Sequence, residues 1–216
     1  MRIFVLFVIL GLSVASCGTR KRTTYAKKDS KSTVHNLPDG KTKDGLYPMP
    51  EDTGRFVKFP VASIPDYIAT FADIAQYEMK AYGIPASITL AQGILESGFG
   101  KGELTLKTNN HFGIKCHTGW EGPYALHDDD AKGECFRKYN HPMYSFRDHS
   151  IFLTSRSRYQ GIFRLRQDDY KGWAYGLKAA GYATDKRYPS KLISFIERYE
   201  LYEYDKAVLK KNYIAK

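Results

Sequence analysis

The sequence predicts a mainly α-helical domain, interrupted once by a small β-hairpin region. Three observations predict it. Apolar residues recur at helical spacing from Val61 onward, Gly and Pro mark the ends of those stretches, and the helical period fails between Asn109 and Tyr139.

The first helix carries Ile68, Phe71, Ala72, Ala75, Met79 and Tyr82 at helical spacing, with Pro65 in its first turn and Gly83 at its end. Pro85 opens the second, which runs through Ile88, Ala91, Ile94 and Leu95 and stops at Gly98 and Gly100. In the hairpin region Gly113, Gly119, Gly122, Pro123 and Gly133 punctuate short runs such as Phe112-Gly113-Ile114 and Cys135-Phe136-Arg137. Helices are expected to resume near Ser145, whose spacing to Asp148 fits a capping box. Another is expected from Asp168 through Trp173 and Leu177 to Gly181. The last is expected to start at Pro189, with Leu192, Ile193, Ile196 and Tyr199 inward. No internal repeat or second domain is evident, and residues 61–216 are ample for one core.

Ahead of that domain, residues 1–16 have the layout of a secretory signal: Arg2, an apolar run from Ile3 to Leu12, then small residues. The run is little more than half the ~20 residues that a membrane-spanning helix needs. Val14-Ala15-Ser16-Cys17 resembles a bacterial lipobox, which implies that Cys17 is acylated and anchored in a lipid bilayer. Gly18 after that cysteine, in place of Asp, favours the outer membrane, with the domain facing the periplasm. Residues 17–60 are polar and basic with few aliphatics, so they bury too little apolar area to offset ordering entropy. They read as a tether, whose ~40 residues as a coil would span about 35 Å.

The net charge of +10 is uneven, since Gly18 to Lys58 holds ten Lys/Arg against five Asp/Glu. The folded part shows no basic stripe interleaved with aromatics, so nucleic acid is not an expected partner. A basic exported chain suits anionic lipid or cell-wall polymer instead. With Cys17 acylated, Cys116 and Cys135 remain as a pair, which in an oxidising compartment reads as a disulfide. It would close a loop of roughly 20 residues, worth about 3 kcal/mol.

The stretch that carries chemistry is Leu90-Ala91-Gln92-Gly93-Ile94-Leu95-Glu96-Ser97-Gly98-Phe99-Gly100. Glu96 sits in the last turn of an apolar helix, where the negative end of the dipole and apolar neighbours both disfavour its ionised form. The glycines that follow leave room for a polymer to approach. A carboxylic acid held neutral is what a glycosidic oxygen requires as proton donor.

This stretch is similar to the catalytic-helix motif of glycoside hydrolase family 73, the bacterial β-N-acetylglucosaminidases related to the flagellar rod-cap muramidase domain. Asn109-Asn110-His111-Phe112-Gly113-Ile114-Lys115 resembles the family's Asn-containing Phe-Gly-Ile-Lys segment, and Phe136-Arg137-Lys138-Tyr139 its Phe-Arg-x-Tyr strand. Ser145 with Asp148 resembles its next helix start, and Gly181-Tyr182-Ala183-Thr184-Asp185, with Tyr188 beyond, its Gly-Tyr-Ala-Thr-Asp signature. The motifs follow in order from about Ile64 to Asp205. The resemblance implies a lysozyme-like α+β fold, with a helical lobe and a small β-hairpin lobe flanking a cleft. It implies Glu96 as general acid, Tyr182 lining the cleft near the bond cut, and Asn110, Phe112 and Tyr188 as further substrate-binding or wall residues. The activity implied is that of a glycoside hydrolase, an endo-β-N-acetylglucosaminidase cutting the β-1,4 bond between N-acetylglucosamine and N-acetylmuramic acid in peptidoglycan strands. No cofactor or metal is expected, and the chain is expected to be a monomer.

The second carboxylate departs from the family, which often carries it in a Thr-x-Glu segment of the β lobe. Here the segment reads Tyr124-Ala125-Leu126-His127-Asp128-Asp129-Asp130, so Asp129 or Asp128 is the candidate base, with Glu121 as an outsider. A solvated acidic turn or a calcium loop are the alternatives, although the spacing is not that of an EF-hand. Cleavage on the muramic side, by a muramidase or lytic transglycosylase, and a non-catalytic glycan-binding lipoprotein are the rival functions. A Cys/His peptidase using Cys116 and His117 is a third, and pairing of Cys116 with Cys135 would remove its nucleophile.

Overall fold

The computed structural model describes residues 52–129 and 131–214, with side chains described as far as Lys210. The signal segment, Cys17, the greater part of the tether and Asp130 lie outside these residues.

Helix α1 (Ile64–Tyr82) starts where the Ser63 hydroxyl accepts the Asp66 N–H, with Pro65 in the first turn. It stops at Gly83, whose left-handed φ of 82° lets its N–H reach the Met79 carbonyl. Helix α2 (Ala86–Glu96) is buried at every position from Ala86 to Ile94. A helix covered on every side lies in the core, and α1, α5 (Tyr170–Ala179), α6 (Tyr188–Arg198) and α7 (Tyr202–Ile214) surround this one. Pro85 gives its first turn no side-chain cap. Asp205 on α7 supplies one from across the fold, its Oδ1 accepting the Ser87 N–H at 2.8 Å.

Helix α3 (Glu103–Thr108) leads to the small lobe, where β1 (Tyr124–His127) pairs antiparallel with β2 (Glu134–Arg137) in the register Tyr124 to Arg137. Cys116 and Cys135 are disulfide-bonded. Helix α4 (Pro142–Ser155) returns the chain to the helical lobe. Two features tie the lobes together. The Asn110 amide binds both ends of the peptide segment at Ile114 and the Arg137 carbonyl. Asp148 on α4 accepts from Arg137 Nη1 and from the Tyr139 hydroxyl, each at 2.8 Å. Arg137 at the end of β2 and Tyr139 just beyond it stand two residues apart because both side chains reach back to one carboxylate.

Several expectations change. Asp148 is therefore not part of a capping box, and Ser145 does not start α4. The helix begins at Pro142, capped by the His141 ring on the Met143 N–H, while Ser145 is buried and bonds back to the Pro142 carbonyl. The helix at Pro189 starts one residue earlier and is not the last, since α7 follows it. Helix α3 and the short 3-10 turns Ser157–Tyr159 and Ile162–Arg164 also went unread, being too short to show a period. Residues near Phe59 lie against the domain: Phe59 packs on Phe71 and edge-on to His141, and the Val57 N–H reaches the Asn140 carbonyl.

Two predictions concern α2. Gly93 faces Tyr67, and a Cβ there would overlap the Tyr67 hydroxyl, which is itself held by His111 at 3.0 Å. Helix propensity alone makes Gly93→Ala a gain of about 1 kcal/mol; the overlap reverses the sign to a loss of roughly 1–3 kcal/mol, read from the denaturant midpoint. Burial pushes the Asp205 carboxyl up to about 7, against the pull of the Ser87 and Ala86 amides. An acid raised in the fold binds more protons native than unfolded, so its contribution is full below about pH 4 and is lost as pH rises through about 7. Asp205→Asn keeps the cap and flattens that fall, measurable as stability against pH from 4 to 8.

Candidate active site

Glu96 ends α2 because the chain there must turn sharply out of the core. Gly98, Phe99 and Gly100 all take positive φ, of 55°, 48° and 81°. Ser97 organises this exit: its hydroxyl donates to the Gly93 carbonyl and accepts the Gly100 N–H at 2.7 Å. The result leaves the Glu96 side chain open on the floor of a cleft of about 1130 Å³ between the lobes. That volume holds more than one sugar ring and lies just above the ~300–1,000 Å³ range of ligand sites.

The carboxyl reaches water through the cleft mouth, yet most of its surroundings are protein. Desolvation raises its pKa, and the charge of Asp129 adds to the rise. The Tyr188 hydrogen bond and Lys191 oppose it. Tyr188 lies at the first position of α6, and its hydroxyl donates to Glu96 Oε1 at 3.0 Å while accepting from Gln92 Nε2 at 2.9 Å. Gln92 and Glu96 stand four residues apart on one face of α2. The amide of Gln92 therefore fixes the direction of the tyrosine hydrogen, and the tyrosine fixes one oxygen of the acid. When Glu96 is protonated, its proton sits on the other oxygen, Oε2.

A line of rings backs this pair. Tyr182 lies 5.6 Å from Tyr188 between centroids, 6.1 Å from His149 and 6.2 Å from Phe152. His149 stacks on Phe112 at 4.1 Å, and burial lowers its pKa to about 3, so the ring is neutral. The cleft gathers Glu96, Phe112, Tyr182, Tyr188 and Asp129 as its lining. Asn110 is not there; it is 1% exposed and its amide is consumed by the lobe junction. Asp128 is not there either, because its carboxylate accepts the Gly133 N–H at 2.7 Å and closes the hairpin turn. Glu121 is likewise outside the lining. Asp129 is largely exposed, with Lys115 Nζ at 3.9 Å. Cys116 in its disulfide cannot serve as a nucleophile. Gln92 went unnoticed in the sequence, although its four-residue spacing to Glu96 was a usable signal.

A helical lobe and a hairpin lobe, with one protonatable Glu on the cleft floor, define the lysozyme-like class of glycoside hydrolase domains. Residues 72–201, more than half of the chain, match the model of the glucosaminidase family, described as mannosyl-glycoprotein endo-β-N-acetylglucosaminidase, and the chain belongs to that family. It is 36% identical over 152 residues to the exo-glucosaminidase LytG of Bacillus subtilis, covering 64% of this chain and 52% of that protein. It is 30% identical over 145 residues to the peptidoglycan hydrolase FlgJ of Vibrio parahaemolyticus, covering 62% and 47%. The chain thus spans about half the length of these curated relatives. Among solved structures, the glycoside hydrolase domain of Salmonella typhimurium FlgJ superposes with a TM-score of 0.56 at 28% identity, over 71% of this chain and 97% of that one. A peptidoglycan hydrolase from Sphingomonas sp. A1 gives 0.57 at 26%, over 68% and 95%.

The local charges predict how Glu96 titrates, readable by carbon NMR of its labelled carboxyl. The wild-type group titrates above an ordinary glutamate. In Tyr188→Phe the bond to Glu96 is lost and its pKa moves higher; in Asp129→Asn a repelling charge is lost and it moves lower.

Proposed function

We propose that this domain is a peptidoglycan hydrolase that cuts the β-1,4 bond between N-acetylglucosamine and N-acetylmuramic acid. The observation that carries the proposal is Glu96, held above its usual pKa on the cleft floor with one oxygen fixed by Tyr188. In this mechanism the Oε2 proton passes to the glycosidic oxygen as the bond to the anomeric carbon breaks. The leaving sugar departs as an alcohol, and the oxocarbenium-like centre, stabilised from the opposite wall, is captured by water, whose proton passes to the carboxylate there. Asp129 is the carboxylate suited to that task, since it lines the cleft and its charge is felt at Glu96. Its exposed place beside the hairpin turn suits a group that approaches once substrate fills the cleft. Membership of the glucosaminidase family supports the linkage, and the peptidoglycan hydrolases among the relatives support the polymer. Action on that polymer places the protein in the cell envelope. The signal segment and Cys17 support a lipid anchor in the outer membrane, and the basic tether supports reach from bilayer to wall.

Glu96→Gln keeps the shape of the acid and removes its proton. We expect unchanged folding and a loss of activity on purified wall of at least about a hundredfold. Undiminished lysis by that variant rejects the proposal. Mass spectrometry of the new reducing ends reports N-acetylglucosamine if the linkage is assigned correctly and N-acetylmuramic acid if the domain cuts the muramic side. Asp129→Asn should impair turnover where Asp128→Asn affects only stability.

A further inference from the structure

The catalytic reading uses Glu96, Tyr188, Tyr182 and Asp129, and leaves unused the cationic stretch of the cleft around Arg156 and Arg158. Both follow the end of α4, and both line the cleft. Neither forms an ion pair with a carboxylate among the described residues, whereas the other cleft cations do: Lys115 with Glu134 and Lys191 with Asp185, each at 2.7 Å. The Arg156 guanidinium lies 3.7 Å over the Phe152 ring, so its plane is set. Its Nη2 meets His117 Nε2 at 3.0 Å, and its Nη1 makes a long contact of 3.4 Å to the Phe152 carbonyl. Because a guanidinium only donates, His117 must accept through Nε2 and carry its hydrogen on Nδ1. Burial and the charges of Arg156 and Arg137 lower the His117 pKa, in keeping with a neutral acceptor. Arg156 is then engaged through two of the five N–H groups a guanidinium offers. Arg158 lies 4.7 Å over Tyr159. Burial and the repulsion of Arg158 push the Arg156 pKa down, the sign of positive charge without a counter-ion.

A contact that only capped α4 would need one N–H of Arg156 and no second arginine. Two guanidinium groups in a cleft, neither with a carboxylate partner among the described residues and Arg156 held with N–H groups to spare, match a planar anion, which they can grip through paired hydrogen bonds. We infer that Arg156, Arg158 and His117 form an anion subsite that binds a carboxylate carried by the muramic side of the glycan strand. This inference rests on the peptidoglycan reading of the same cleft. The carboxylate has two sources of one chemistry: the free lactyl group of a strand without peptides, and the acidic residues of an attached peptide stem. Ring contacts run from Tyr188 through Tyr182 and Phe152 to Arg156, so the subsite lies along the cleft from Glu96.

Binding is measured by calorimetry in the Glu96→Gln background, which removes turnover from the readout. The ligands are a peptide-bearing muramyl fragment, a fragment with free lactyl carboxylates, and a chitin oligosaccharide with no carboxylate. Each muramyl fragment is also prepared with its carboxylates amidated. We expect tighter binding of a carboxylate form than of its amidated twin, a preference that shrinks with salt. In Arg156→Gln/Arg158→Gln that preference falls on the order of tenfold, with partial recovery in Arg156→Lys. A preference confined to the stem-bearing pair identifies the stem as the source; one shown by the peptide-free pair identifies the lactyl group. Equal affinity for carboxylate and amide forms in the parent protein overturns the inference, and needs no arginine variant to fold. So does an equal loss for every ligand, the chitin oligosaccharide included, in the double variant. Failure of the hydrolase reading shows separately, as absence of new reducing ends from the protein with Glu96 intact.

Discussion

Helix α2 passes through the core with hardly a residue exposed before Glu96, and the rest of the site depends on that constraint. A helix with no free face cannot slide or turn without opening cavities on several sides at once. Its first turn is held by a buried carboxylate from α7, and Tyr67 closes over Gly93 near its other end. The position at which α2 leaves the core is therefore fixed by packing rather than by the residues of the cleft. Glu96 stands at that exit, shielded by protein on most sides and open on one. The raised pKa follows from place: burial is the largest cause, and the charge of Asp129 adds to it.

The polar groups of the site are ordered as a chain. Gln92 directs Tyr188, and Tyr188 directs Glu96. In a low-dielectric surrounding such a chain holds an orientation more firmly than its members would separately. Tyr182, Phe152, His149 and Phe112 keep water away from its back. The hairpin lobe is attached differently, through Asn110 and through Asp148 with Arg137 and Tyr139. These contacts lie at the lobe junction, and the turn beyond them is closed by its own bonds, from the Gly133 N–H to Asp128 and from the Ala131 N–H to Glu134. Of the two carboxyls, one is fixed by Tyr188 and the other stands exposed in the cleft wall.

Much of this was legible in the chain. The apolar spacing of Ile68 to Tyr82 and of Ile88 to Leu95 marked α1 and α2, because burial on a helix leaves a period. Loss of that period with clustered glycines marked the hairpin lobe. Helix α7 was not legible, since Tyr, Lys and acidic residues are mixed along it without a clear apolar stripe. The start of α4 differs because Ser145 and Asp148 have capping chemistry at capping distance, yet Ser145 bonds a carbonyl of its own helix and Asp148 receives Arg137 and Tyr139. A residue that can cap a helix can equally bond a carbonyl inside one, or receive an arginine from another lobe.

The sequence by itself determined the helical class, the pair of cysteines, and a single carboxyl at the end of an apolar helix. Those features are local, and spacing and residue type carry them. Only the tertiary structure decided which groups face that carboxyl. Tyr188 reaches it from a chain distance of 92 residues. Asp129 rather than Asp128 lines the cleft because the hairpin turn consumes its neighbour. Arg156 and Arg158, which follow the end of α4, line the cleft without a carboxylate partner among the described residues. Each of these outcomes is set by how separate elements pack, and packing leaves no period for a linear reading to find.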